Sequence, residues 1–169
     1  RVAVYFKNYL AENHTEHEVE IIDLDELNFP IFEERLSHQK SPAKNTLEFA
    51  QKVVSSKGII IVSPEYNGGY PARLKNAIDL LHPEWRRKPI AISTVSSGAF
   101  GGSQVIISLQ FILWKIRSWV VPAQFPDPNV EKTFDENGKP SDPKFTNKNA
   151  KNFVDELLWC MEANEKMSK

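Results

Sequence analysis

Two short segments carry the residue types best suited to holding a ligand. The first, Ser63-Pro64-Glu65-Tyr66-Asn67-Gly68-Gly69-Tyr70-Pro71, places an Asn-Gly-Gly step between Tyr66 and Tyr70. Asn and Gly accept positive φ, so the backbone there can turn tightly and bring its N–H groups against a ligand, while the tyrosines offer flat aromatic faces. That combination suits a planar heteroaromatic molecule better than a bare phosphate. The second, Ser96-Ser97-Gly98-Ala99-Phe100-Gly101-Gly102-Ser103, supplies further backbone amides at the start of a helix, where partial negative charge is stabilised. Five of the seven glycines fall in these segments. Each segment alone is equally a tight strand-to-helix turn; it is their occurrence after successive strands that favours a ligand.

Other chemistries lack their residues. There is no GxxxxGK(S/T) to hold a triphosphate and its magnesium, no GxGxxG, and no GxSxG nucleophile elbow. No triad and no pair of catalytic carboxylates is apparent, so no catalytic residue is assigned. Glu65 is expected to act through its backbone and stem rather than by proton transfer. His14, His17 and His38 lie in polar stretches without metal-ligand company, and His82, beside Pro83, suits a helix end or the surface. No metal site is expected. The single Cys160 excludes an intramolecular disulfide, a cysteine zinc cluster and a CxxC pair, which suits a reducing, cytoplasmic setting, and its place on an amphipathic stretch suggests a buried structural thiol.

The elements that must position these segments belong to one domain, residues 1–169, with 41% hydrophobic and 25% charged residues. With 21 Lys and Arg against 22 Asp and Glu, the net charge of −1 supplies no field to attract nucleic acid or an anionic membrane. No apolar run of about 18 residues is present, so no membrane span is expected.

At the start, Val2, Phe6, Tyr9 and Leu10 share one face at helical spacing, broadened by Val4 and Tyr5. Val19, Ile21 and Ile22 then predict a short strand near a sheet edge. A helix over about Ala43 to Ser55 is expected to turn Leu47, Ala50, Val53 and Val54 inward, and Ile59-Ile60-Ile61-Val62 is a continuous apolar run of the kind found in parallel strands buried on both faces. Pro71 opens a helix whose core face is Leu74, Ala77, Ile78 and Leu81, and Pro83 stops it. Ile90 to Val95 is the next buried strand; Val105, Leu109, Ile112, Leu113 and Ile116 stripe the helix after it; Trp119-Val120-Val121 predicts a strand ending at Pro122. Residues 125 to 145, rich in proline and carrying Asp135-Glu136-Asn137-Gly138, are expected to form an excursion or hairpin. A last helix, about Asn147 to Ala163, turns Ala150, Phe153, Val154, Leu157, Leu158 and Met161 inward.

This alternation predicts an α/β fold, a doubly wound parallel sheet with helices on both faces. It is one strand short of the five-stranded flavodoxin-like layout. The first strand is therefore expected before Arg1.

Ser63-Pro64-Glu65-Tyr66-Asn67-Gly68-Gly69-Tyr70-Pro71-Ala72-Arg73-Leu74-Lys75-Asn76-Ala77-Ile78-Asp79 closely resembles the signature of the NADPH-dependent FMN reductase family, which includes chromate, quinone and azo-dye reductases of flavodoxin-like fold. The resemblance extends to Lys88-Pro89, Ser97-Gly98, Gly101-Gly102-Ser103, Phe134-Asp135 and Gly138. It implies FMN and NADPH or NADH as cofactors. It implies that Pro64, Glu65, Tyr66, Asn67 and Gly68 line the isoalloxazine and ribityl region, with Ser97, Gly98, Gly101 and Gly102 closing from the second loop. The family's Gly-Ser-x-Arg phosphate loop is expected before Arg1, since residues 1 to 13 resemble the helix that follows it.

The implied function is FMN-dependent NAD(P)H:acceptor oxidoreduction by a ping-pong cycle, with quinone, azo, chromate or free-flavin acceptors. The alternatives are a non-enzymatic electron-transfer flavoprotein, which the near-neutral charge disfavours, and a flavin-free regulatory module. Arg73, Arg86 and Arg87 are read as a solvated basic face, with a nicotinamide 2′-phosphate as the alternative partner. Phe100, Phe111, Trp114 and Trp119 gather about the helix after residue 103, either as core or as a subunit contact. A homodimer is expected.

Overall fold

The computed structural model describes residues 1–168. Its sheet has three parallel strands in the order β1 (Ile59–Pro64), β2 (Pro89–Val95), β3 (Trp119–Asp127). β2 lies between the others and is buried along almost its whole length, as a parallel strand covered on both faces must be. Its alternate residues feed two cores. Ile90 and Ile92 face a layer built from α3 (Lys44–Ser55), α4 (Ala72–Leu80) and α5 (Ser103–Lys115). Ala91 faces the opposite layer, α1 (Val2–Asn13) and α7 (Pro143–Met167). Helices therefore cover both faces, as the alternating pattern predicts.

The α1/α7 layer is largely aromatic. Phe6 meets Phe125 edge-on at 5.0 Å between ring centroids and Phe153 at 5.2 Å, and all three rings are buried. The Tyr5 ring lies in the same cluster, and its hydroxyl donates to the Asn147 side-chain oxygen at 3.0 Å. Burial pushes the Tyr5 hydroxyl far above the ordinary tyrosine range. Cys160 is buried in this layer, as expected, and burial raises its thiol.

Several elements depart from the sequence-based expectation. Three parallel strands, not five, are found among the described residues, and the strand expected before Arg1 lies outside them. Val19 to Ile22 forms no strand. Val19 packs against one core and Ile22 against the other, so the segment straddles the plane of the sheet without entering a ladder. It is tied instead by the Lys52–Glu20 ion pair and by Asp23, which caps α2 (Leu24–Leu27) through a bond from the Asp25 N–H at 2.8 Å.

β3 does not stop at Pro122. A register irregularity between Ile90 and Ile92 of β2 lets the edge strand carry an unpaired proline and rejoin at Gln124. On α3 the inward face is Thr46, Phe49, Ala50 and Val53, because the Phe49 ring packs between Phe29 and Trp85. Leu47 and Val54, expected inward, are exposed. α7 starts four residues before the expected Asn147, where Asp142 accepts the Phe145 N–H at 3.0 Å and Pro143 fills the first turn.

The excursion after β3 is compact. It contains α6 (Val130–Thr133) and a hairpin whose Phe134 and Pro140 pair as an isolated bridge.

Candidate functional site

Pro64 and Val95 are register partners at the carboxyl ends of β1 and β2, so the two glycine-bearing loops leave the sheet side by side. In the first loop, the Tyr66 N–H donates to the Gly69 carbonyl at 2.8 Å and the Gly69 N–H to the Tyr66 carbonyl at 3.0 Å. Between them Asn67 has φ 52° and Gly68 φ 77°, the two left-handed residues of a type I′ turn. The Tyr66 ring is 64% exposed beside this turn. Tyr70 is different: it is half-buried, packed against the α3/α4/α5 core, and burial raises its hydroxyl.

The second loop is held at several points. Thr94, fully buried on β2, donates its hydroxyl to the Gly101 carbonyl at 2.6 Å. Ser96 N–H donates to the Asp127 carbonyl at 3.1 Å, Val130 N–H to the Ser96 carbonyl at 3.0 Å, and Asn129 N–H to the Gly98 carbonyl at 3.0 Å. The loop is thereby laced to the end of β3. Gly101 and Gly102 have φ 60° and 71°; a Cβ on Gly101 would stand 3.1 Å from the Asp127 nitrogen, and one on Gly102 3.1 Å from Thr94 Cβ. No side chain fits at either without displacement.

Asp127 is itself buried, and its side chain accepts the Thr133 hydroxyl at 2.8 Å. Burial raises this carboxyl above the ordinary aspartate range, with the Thr133 bond opposing the rise.

Glu65 joins the two loops. Its Oε2 accepts the N–H of Gln104 at 3.1 Å and lies 3.4 Å from that of Val105, both in the first turn of α5. The helix has Gly102 at its N-cap, with no side chain to do this.

The structure thus places Pro64, Glu65, Tyr66, Asn67 and Gly68 in one loop and Ser97, Gly98, Gly101 and Gly102 in its neighbour, at one end of the sheet. Ser97 and Gly98 are exposed. Among the described residues, the N–H groups of Asn67, Gly68, Ser97 and Gly98 have no protein acceptor. Arg86 and Arg87 are not brought here; they precede β2 at the opposite end, where the Arg87 N–H donates to the Arg117 carbonyl at 2.8 Å. Arg73, in the first turn of α4, is paired with Asp25. No group of three or more His, Cys, Asp or Glu among the described residues is placed to hold a metal ion.

The roles of Thr94, Asp127 and the Glu65 carboxylate escape sequence reading. Thr94 and Asp127 sit at strand ends without a motif. Only the cap-less Gly102 before α5 hints that a carboxylate must come from elsewhere.

Residues 1–132 match the family model described as NADPH-dependent FMN reductase. The chain belongs to the NADPH-dependent FMN reductase family. Its similarity to an NAD(P)H-dependent FMN reductase of Saccharomyces cerevisiae is 35% identity over 111 residues, 61% of this chain and 57% of that protein. A quinone reductase of Escherichia coli K12 is 32% identical over 90 residues, 51% of this chain and 48% of the enzyme. The chain spans about half the length of the curated relatives it matches. The flavoenzyme NAD(P)H:(acceptor) oxidoreductase of Paracoccus denitrificans superposes with a TM-score of 0.74 at 19% identity, covering 94% of this chain and 88% of that one. That likeness supports the flavodoxin-like α/β fold. No helix among the described residues is long and apolar enough to cross a membrane.

Proposed function

We propose that this chain holds FMN between its two glycine loops and serves an NAD(P)H:acceptor oxidoreductase. The observation that carries the reading is the pairing of unclaimed backbone N–H groups, at Asn67 and Gly68 and at Ser97 and Gly98, on neighbouring loops at parallel strand ends. A flavin's oxygen- and nitrogen-rich ring edge is the kind of acceptor such donors fit. The open space above Gly98, where no atom lies within 4 Å of a Cβ position, and the exposed Tyr66 are consistent with a flat ligand lying close to backbone, while Gly101 and Gly102 are glycines because they pack against the ends of β2 and β3.

In this reading Pro64, Glu65, Tyr66, Asn67 and Gly68 hold the isoalloxazine and ribityl region, and Ser97, Gly98, Gly101 and Gly102 close the other side. FMN, when bound, supplies hydride transfer from NADPH or NADH and electron delivery to a small acceptor such as a quinone, azo compound, chromate or free flavin, in a ping-pong cycle. The chain's own part is to orient the ring and present preorganised N–H dipoles where negative charge develops. In this reading no side-chain nucleophile or general acid is required.

The outer face of α5 supports a homodimer. Ile107, Phe111 and Trp114 follow one another at helical spacing and are 73%, 64% and 69% exposed, beside a groove of about 320 Å³ whose lining includes Trp114, Trp119 and Pro122. These side chains are surface, not core, and a second copy covering them removes a contiguous apolar patch from water.

The deciding experiment is an FMN titration of the purified chain followed by anaerobic NADPH. Bound flavin that bleaches on NADPH addition is expected. Bound flavin left oxidised by NADPH indicates an electron carrier, and failure to bind FMN refutes the reading. Light scattering at micromolar concentration is expected to give the dimer mass, and a monomer mass refutes the dimer.

A further inference from the structure

The Glu65 carboxylate is turned into the first turn of α5. Helix α5 begins at Gly102, which cannot cap it, and the Gln104 and Val105 N–H groups would otherwise point at solvent or ligand without a partner. Glu65 Oε2 takes the Gln104 N–H at 3.1 Å, with the Val105 N–H 3.4 Å away. A second, weaker contact runs beside it: the Ser108 hydroxyl, one turn further along α5, donates to the Gly68 carbonyl at 3.5 Å. The carboxylate therefore joins the first loop to the helix on which the second loop ends.

We infer that Glu65 is a positioning residue, whose carboxylate fixes the separation of the two loops and places a negative charge on the α5 N-terminus. This rests on the flavin reading above, because the loops it spaces are those proposed to hold FMN. Two consequences follow. Without the carboxylate, the first loop is anchored to α5 only through the long bond from the Ser108 hydroxyl to the Gly68 carbonyl, at 3.5 Å, and the loop N–H groups lose their preorganisation. With it, the positive end of the helix dipole is already answered by a protein charge, so less of it remains for negative charge arriving on a ligand. Glu65 thus trades reduction potential for order: it tightens binding while holding the potential of the bound flavin lower than the bare helix end would.

Glu65→Ala and Glu65→Gln separate these effects, since the glutamine oxygen still accepts the α5 amides but carries no charge. In the FMN-free chain, hydrogen exchange at Gln104 and Val105 is expected to quicken about tenfold or more in Glu65→Ala and to return most of the way to wild type in Glu65→Gln. FMN affinity is expected to fall about tenfold in Glu65→Ala and to stay within about threefold of wild type in Glu65→Gln. The midpoint potential of FMN bound to Glu65→Gln is expected to shift positive, which a merely structural cap would not produce. Unchanged exchange at Gln104 and Val105 in both variants overturns the strut. FMN bound by all three proteins with equal affinity and potential overturns the positioning role. Wild-type chain that binds no FMN, with exchange altered as expected, refutes the flavin reading while leaving the strut standing.

Discussion

Gly138 is the position where one methyl group should cost most. It lies in the hairpin that follows α6, with φ 74°, and a Cβ there would stand 2.5 Å from the Tyr5 nitrogen, 2.9 Å from the Arg1 oxygen and 3.0 Å from the Val4 carbonyl carbon. All three are backbone atoms of the first turn of α1, and Tyr5 N–H is already committed to the Arg1 carbonyl at 2.9 Å. Nothing on that side can rotate away. Left-handed backbone costs a non-glycine residue about 1–2 kcal/mol, and overpacking against a rigid neighbour about 1–3 kcal/mol more. Gly138→Ala is therefore expected to lose about 2–5 kcal/mol, a large share of the roughly 5–15 kcal/mol that holds a domain together. Two other glycines face less resistance. A Cβ on Gly98 would have no atom within 4 Å and the position needs no positive φ, so Gly98→Ala is expected within about 0.5 kcal/mol of wild type. A Cβ on Gly58 meets the Met161 sulfur at 2.6 Å, but that is a flexible side chain, so Gly58→Ala should fall between them. Urea unfolding followed by far-UV circular dichroism measures all three. Gly138→Ala and Gly98→Ala with the same midpoint and slope would show that the Gly138 backbone contact carries no such cost.

Further outcomes concern the second loop and the turn of the first. Burial holds the Asp127 carboxyl above its unfolded value, so between the two values the native chain binds the extra proton and stability falls as pH rises through that window. Asp127→Asn keeps an acceptor for Thr133 and removes the buried charge; it is expected to be more stable than wild type at pH 7, with the gain shrinking as the pH is lowered through the carboxyl's raised range. A gain that grows on acidification, measured by thermal unfolding across pH, would contradict the assignment. Gly68→Val puts a β-branched residue at φ 77°, a strain of about 1–3 kcal/mol, and is expected to weaken FMN binding about tenfold. Fluorescence titration showing wild-type affinity would count against the first loop as part of the site.

Much of the fold could be read from periodicity because its strands are buried on two faces. β1 shows as an unbroken apolar run from Ile59 to Val62 since its alternate residues feed the cores on both faces, and α5 shows as a stripe since Val105, Leu109 and Leu113 all reach zero exposure. The failures have physical causes. Val19 to Ile22 has a strand's alternation because its side chains do reach opposite layers, yet a strand is defined by a ladder and none of the described residues supplies one. Hydrophobicity alone set the face of α3 around Leu47 and Val54, whereas the size of Phe49 and its contact with Trp85 turn the helix by about one residue. Pro122 looks like a strand end because proline cannot join a ladder, but on an edge strand with an irregular register it does not need to.

The candidate site divides along the same line. What backbone chemistry demands is written locally: Asn67-Gly68 announces a type I′ turn, and Gly101-Gly102 announces backbone that no side chain may crowd. What joins the loops is not local. Glu65 and Gln104 are 39 positions apart, and Thr94 reaches Gly101 only because the chain doubles back from β2. A glutamate between proline and tyrosine carries no sign that it will cap a helix in the next βα unit. The sign is in the helix instead: α5 starts at a glycine with no capping side chain and no acidic residue in its first turn. A buried or half-buried helix start without its own cap demands an acceptor from elsewhere, and in a parallel sheet the nearest source is the loop of the adjoining strand. In a doubly wound fold, a missing cap is thus a local clue to a non-local contact. Here it leads from Gly102 to Glu65, and so from one ligand loop to the other.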